Sequence, residues 1–220
     1  MIRALIFDFD GLILETEGPI FQSWLEVYHS FGQELSFAAW SQGIGASLEE
    51  FDPRLDLQKR LGIRVDWENI EQKRMAREIS LIEEQSTLPG VDAYLDTARQ
   101  LGLKLGIASS STCQWVLRHL TSLNLVDYFD CIRAADDVNA VKPDPELYLA
   151  VMDELKINAN EAIAFEDSPN GILAAKRAGL FCVAVPNQIT SLLSLGEADI
   201  QLSSLAEMPL EQLLVRVSSA

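Results

Sequence analysis

Leu5-Ile6-Phe7-Asp8-Phe9-Asp10-Gly11 joins an apolar run to two carboxylates and a glycine. Residues 4–7 are apolar throughout, the pattern of a strand buried on both faces of a sheet. Ligands of an open parallel sheet bind beyond the carboxyl ends of its strands. Asp8 and Asp10 therefore stand where chemistry is expected. A calcium loop needs further oxygen ligands before its glycine, and Gly11 comes too early for one. A strand that runs into a solvated acidic turn fits this stretch equally well. Only the rest of the chain separates the two readings.

Beyond Gly11 the chain turns helical. Phe21, Trp24, Leu25 and Tyr28 recur at helical spacing and Gly32 supplies a stop. Ser47-Leu48-Glu49-Glu50 has the capping-box pattern of a helix start, followed by Leu55, Leu57 and Leu61 and closed by Gly62. Residues 68–85 are charged and free of glycine, with Ile70, Met75, Ile79 and Ile82 as an apolar face. Residues 17–85 thus read as helix without an intervening strand. Leu88-Pro89-Gly90 breaks that pattern, and short apolar runs then alternate with helices. The expected strands lie at 103–108, 131–134, 162–165 and 181–185, with a weaker edge strand at 200–202. Ser109 to Thr112 offer hydroxyl caps for the helix through Trp115, Val116 and Leu120. Asp144 is expected to cap a helix that has Pro145 first, and Ser168-Pro169 opens one that closes at Gly179. Alternating strands and helices make a parallel sheet. The first strand is separated from the others by the helical block. The expectation is an α/β fold: a three-layer, Rossmann-like core of residues 1–16 and 86–220, with an all-helical cap inserted at 17–85. An insert of that length at the active edge suits a lid.

The chain has 220 residues, 48% of them hydrophobic and 23% charged, and a formal net charge of −16. That charge opposes a polyanionic partner, so nucleic acid is not expected. No apolar run approaches the ~20 residues that span a bilayer, and no basic leader precedes the first strand. Cys113, Cys131 and Cys182 are odd in number and far apart, which suits reduced thiols in a cytoplasmic protein. His29 and His119 fall inside helices and read as ordinary helix residues. Lys73, Arg74 and Arg77 read as a solvated basic face, with contact to an anionic substrate as the alternative.

Four strand ends carry the chemistry: Asp8 with Asp10, Ser109, the loop that leads to Lys142, and Glu166 with Asp167. They converge if the first, second and fourth strands are neighbours. Four carboxylates would then face one lysine. Two unit charges ~4 Å apart repel by roughly 4 kcal/mol at an effective dielectric of ~20, so the cluster calls for a cation. An oxygen-only donor set suits Mg²⁺. With no histidine or cysteine at these strand ends, zinc does not fit. A cation, a hydroxyl beside helix-start amides and a lysine together describe a phosphate site. An aspartate is already ionised at neutral pH and needs no base to attack phosphorus.

Asp8-Phe9-Asp10-Gly11, Ile107-Ala108-Ser109, Lys142-Pro143-Asp144-Pro145 and Glu166-Asp167-Ser168-Pro169-Asn170-Gly171 occur in this order. This succession resembles the haloacid dehalogenase-like hydrolases, in the branch of small-cap phosphatases and β-phosphoglucomutases, over essentially the whole chain. The resemblance implies that Asp8 takes the phosphoryl group and that Asp10 is the acid/base, its carbonyl helping to hold Mg²⁺. It implies that Ser109 and Lys142 bind the phosphoryl group. It makes Asp167 a metal ligand and Glu166 a ligand or a partner of one. Dehalogenases lack the second aspartate, because a departing halide needs no proton. Two departures stand out. Glu15 replaces a common aspartate at the hinge. Ile20 stands where the mutases have histidine, and residues 45–48 lack their arginine. The implied activity is hydrolysis of a small phosphorylated metabolite by a monomer or weak dimer, away from membranes and nucleic acid. A phosphosugar mutase and a catalytically silent binding module are the alternatives.

Overall fold

Ala4–Phe7 (β1) is wholly buried and lies at the centre of a six-stranded parallel sheet. The computed structural model describes residues 1–40 and 51–218. The other strands are Lys104–Ala108 (β2), Cys131–Arg133 (β3), Ala162–Glu166 (β4), Phe181–Ala184 (β5) and Ile200–Gln201 (β6). Their order is β3-β2-β1-β4-β5-β6, so β1 pairs with β2 on one side and β4 on the other. All pairings are parallel, and all carboxyl ends therefore reach one edge.

Side chains alternate between the two faces of a strand. Ala4 and Ile6 belong to the cluster that buries Glu146–Leu155 (α7) and Pro169–Arg177 (α8). On the opposite face Phe7 stacks on Phe165 at 4.8 Å, and Tyr94 of Val91–Gln100 (α5) meets Phe165 edge-on at 5.7 Å. Burying each such ring contributes about 1.5–3 kcal/mol. The remaining helices of this part are Cys113–Ser122 (α6) and Leu210–Ser218 (α9), the latter packed on α5. The result is an α/β sheet with helices on both faces.

The chain divides into two compact units, Met1–Glu15 with Ser86–Ala220, and Thr16–Gln85. Every described element of the second unit is helical: Glu17–Ser30 (α1), Phe37–Trp40 (α2), Pro53–Leu61 (α3) and Trp67–Glu83 (α4). α1 packs on α4, and Trp24, Val27, Tyr28, Leu35 and Leu57 form the buried cluster. The capping box at 47–50 and the loop at 45–48 lie outside the described residues. The described start of α3 is Asp52, whose carboxylate accepts from Arg54 N at 2.7 Å, with Pro53 in the first turn.

Several sequence expectations are corrected here. Leu55 and Met75 are exposed rather than part of an apolar face, because only one side of each helix is covered. Of the hydroxyls at 109–112 expected to cap α6, it is Thr112 that does so, accepting from Trp115 N at 3.3 Å. α7 begins at Glu146, with Pro145 at the cap position and Asp144 Oδ1 accepting from Glu146 N at 3.0 Å. Arg74 is not on a solvated face. It pairs with Glu71 at 2.9 Å and with Glu78, and its guanidinium lies 4.7 Å from the Trp24 ring centre. Arg77 donates to Glu26. The three cysteines are free thiols. No helix among the described residues is long and apolar enough to cross a membrane.

Candidate active site

Asp8 continues β1 by one residue, and its N–H donates to Phe165 O at 3.0 Å. The registers pair Phe7 with Ile107 and with Phe165, so Asp8, Ser109 and Glu166 leave the sheet at one edge. Asp8, Ser109, Glu166 and Asp167 are all buried. Carboxylate oxygens of Asp8, Glu166 and Asp167 all lie within 4.8 Å of one another. Lys142 Nζ enters from the loop before α7 and sits 2.6 Å from both Asp8 Oδ1 and Glu166 Oε1. Tyr148, in the first turn of α7, donates its hydroxyl to Glu166 Oε1.

Burial pushes the Asp8 carboxyl above the usual range, against the attraction of Lys142, and the charge of Asp10 pushes the same way. Burial also lifts Glu166 to about 7, against Lys142 and with the charge of Asp8. Lys142 responds oppositely. Burial works to discharge it, but Asp8 and Glu166 outweigh burial and hold its proton more firmly than usual. One ammonium faces three carboxylates, which leaves the cluster short of positive charge.

A hard divalent cation fits that shortage. The donor set is carboxylate oxygen throughout. Glu166 Oε2 is buried with no hydrogen-bond partner among the described residues, a costly state unless something else meets it. The backbone leaves room around these oxygens. A Cβ on Gly171 would stand 1.8 Å from Glu166 Oε2. A Cβ on Gly11, whose φ of +75° already favours glycine, would stand 2.6 Å from Asp167 Oδ2.

Asp10 is held separately. Its Oδ2 accepts from Ser111 Oγ at 2.7 Å and its Oδ1 from Trp115 Nε1 at 2.9 Å. Ser109 is tied into the same loop: its Oγ accepts from Ser111 N at 3.0 Å. Asp167 Oδ2 accepts from Asn187 Nδ2 at 2.9 Å. The Asn187 amide cannot turn round without loss, because its Oδ1 accepts from Ile189 N and Thr190 N at 2.8 and 2.9 Å.

All six residues singled out in the sequence therefore gather at this edge, in two groups. Asp8, Lys142, Glu166 and Asp167 form the charged cluster. Ser109 lies in the loop after β2, and Asp10, beyond β1, is tied to that loop through Ser111. Sequence reasoning missed Tyr148, Asn187, and the contacts that Ser111 and Trp115 make to Asp10. The available signals were weak: an indole in the first turn after a strand-end serine, and an asparagine just past the fifth strand. His119 departs from the expectation of an ordinary helix residue. It is buried, stacks at 6.4 Å on Phe9 and meets the Trp115 ring at 4.5 Å.

The sequence matches the haloacid dehalogenase-like hydrolase family over residues 5–185. It is 45% identical over 219 residues to the Bacillus subtilis protein named "Putative phosphatase YhcW", covering 100% of this chain and 99% of that one. Hexitol phosphatase B of Escherichia coli is 31% identical over 235 residues, covering 97% of each. The crystal structure of β-phosphoglucomutase from Clostridium difficile aligns with a TM-score of 0.78 at 27% identity, covering 100% of this chain and 98% of that one. By the length of the match and the closeness of its relatives, this chain belongs to the haloacid dehalogenase-like hydrolases.

Proposed function

We propose that this hydrolase is a Mg²⁺-dependent phosphatase of a small phosphomonoester, a phosphorylated sugar or hexitol, working through an aspartyl phosphate on Asp8. Residues 1–16 and 86–220 are its catalytic core and residues 17–85 its cap domain. The observation that carries the reading is the buried Asp8 carboxylate, held 2.6 Å from Lys142 beside two further carboxylates at the sheet edge.

In the first step an Asp8 oxygen attacks phosphorus. The bond from phosphorus to the leaving oxygen breaks, and Asp10 gives that oxygen a proton. In the second step Asp10 takes a proton from water as the water oxygen attacks phosphorus. Inorganic phosphate departs and the Asp8 carboxylate is restored. Lys142 and the Ser109 hydroxyl hold the non-bridging oxygens through transfer, where positioning and charge neutralisation supply most of the acceleration. Asp8, Asp167, the Asp10 carbonyl and Glu166, directly or through water, would hold the magnesium ion. That ion supplies charge neutralisation on the phosphoryl oxygens.

The likeness to a β-phosphoglucomutase supports a second reading, a mutase acting on sugar phosphates. Ile20, in place of the mutase histidine, supports the hydrolase. Phosphate release from a panel of sugar and hexitol phosphates, with Asp8→Asn as blank, tests both. The expected result is Mg²⁺-dependent release that falls on the order of 10⁴-fold or more in Asp8→Asn. Isomerised sugar phosphate without free phosphate would establish the mutase instead. Activity in Asp8→Asn equal to wild type would remove the mechanism.

A further inference from the structure

We propose that Trp115 and Ser111 are positioning residues that set the Asp10 carboxylate for proton transfer to the leaving oxygen. This rests on Asp10 being the acid/base. A lone aspartate beyond a strand end has several staggered rotamers and a broad second torsion. Here both oxygens are claimed by donors more than a hundred residues away in sequence, Trp115 Nε1 at 2.9 Å and Ser111 Oγ at 2.7 Å.

Each donor is itself fixed. The Ser111 backbone is tied at both ends, its N–H donating to Ser109 Oγ at 3.0 Å and its carbonyl accepting from Ala135 N at 2.9 Å. Trp115 lies in the first turn of α6, where Thr112 Oγ1 accepts from its N–H. Its ring rests on His119, one turn further along, and His119 stacks on Phe9, the residue between the two aspartates. The serine that would bind the phosphoryl group and the aspartate that would serve the leaving oxygen are thus joined through a single loop. The two donors also differ in kind. An indole N–H only donates, so Oδ1 is reserved as an acceptor. A hydroxyl both donates and accepts, so the Oδ2 side can follow a proton that comes and goes.

The test uses two aryl phosphates of similar shape, phenyl phosphate and 2,4-dinitrophenyl phosphate. The phenolate departs poorly without a proton, whereas the dinitrophenolate leaves unaided. kcat/KM covers only the steps through the first phosphoryl transfer, so it isolates leaving-group departure. Trp115→Phe, which keeps a ring against His119, and Ser111→Ala are each expected to lower kcat/KM for phenyl phosphate about 10- to 100-fold. The value for the dinitrophenyl ester should stay within about threefold, and Ser111→Thr, which keeps the hydroxyl, should recover most of the loss. Equal losses on both esters, or no loss on either, would overturn the proposal, since a merely structural role does not distinguish leaving groups. Asp10→Asn runs alongside. If it is selective for phenyl phosphate and the other variants are not, the positioning role fails while the reading of Asp10 stands. If Asp10→Asn is itself unselective, both fall. Either of the two positioning variants alone decides the matter should the other not fold.

Discussion

Each of the two units places a largely buried cation between two carboxylates. In the sheet unit Lys142 lies between Asp8 and Glu166; in the helical unit Arg74 lies between Glu71 and Glu78. Both cations are largely withdrawn from solvent, with 5% and 12% of the side chain exposed. Burial alone therefore does not separate them. The difference lies in where the partners come from. Glu71 and Glu78 are three and four residues from Arg74 on the same helix, so helix geometry brings them together with no further constraint. Asp8 is 134 residues from Lys142 and ends a different element, so the pair exists only if the whole sheet does. The helical trio is paired on one helix and braced by Trp24, whereas in the sheet cluster Glu166 Oε2 has no partner among the described residues. A third pair completes the comparison. Arg3 and Glu161 are 158 residues apart and pair at 2.9 Å near the surface. Distance in sequence without burial makes only a clasp. Distance, burial and an unbalanced charge together mark the site.

The largest effect should come from removing the two buried cations in parallel. Lys142→Met strands two buried carboxylates. It is expected to cost about 3–5 kcal/mol of stability in chelator, by denaturant unfolding, and to abolish most phosphate release. Arg74→Met should cost only about 1–2 kcal/mol, with kcat unchanged in the folded protein. An Arg74→Met enzyme that folds but loses turnover would break the contrast. A smaller effect is expected at Asn187. Asn187→Leu releases Asp167 from its amide partner, and Mg²⁺ affinity by titration calorimetry should weaken about 10-fold while the unfolding midpoint in chelator changes little. Unchanged affinity would mean that Asp167 needs no such support. The smallest effect belongs to the surface clasp. Backbone donation from Asn158, reinforced by Arg3, lowers the Glu161 pKa from 4.5 to about 2. A depressed carboxylate stabilises the fold above its unfolded pKa and loses that contribution as pH falls through the folded value. The urea midpoint of wild type should therefore exceed that of Glu161→Gln at pH 6, and the gap should close between about pH 4.5 and 2. A gap that widened on acidification would reverse the assignment.

Much of the core could be read directly from the chain. β1, β4 and β5 are short apolar runs buried on both faces, and such runs announce themselves without an amphipathic period. Convergence of the acidic strand ends requires the first, second and fourth strands to be neighbours, and the sheet meets this by setting β1 between β2 and β4. Helix faces were harder to read. Leu55 and Met75 carry the right residue type and the right spacing but remain exposed. Arg74 looked like a solvated charge because nothing in its helix shows the indole beside it. His119 looked ordinary because its partner Phe9 lies far away in sequence.

By itself the sequence determined which residues carry charge at the ends of buried strands, and therefore the chemical class of the site. Apolar runs, caps and glycines act over a few residues, so local order is enough to display them. Tertiary structure alone decided that Trp115 and Ser111 hold Asp10, that Asn187 holds Asp167, and that Tyr148 and Lys142 share Glu166. These are single hydrogen bonds and ion pairs between residues from separate elements. Each forms only when a donor and an acceptor atom on separate elements arrive within about 3 Å of one another, a condition set by packing and absent from any short stretch of sequence.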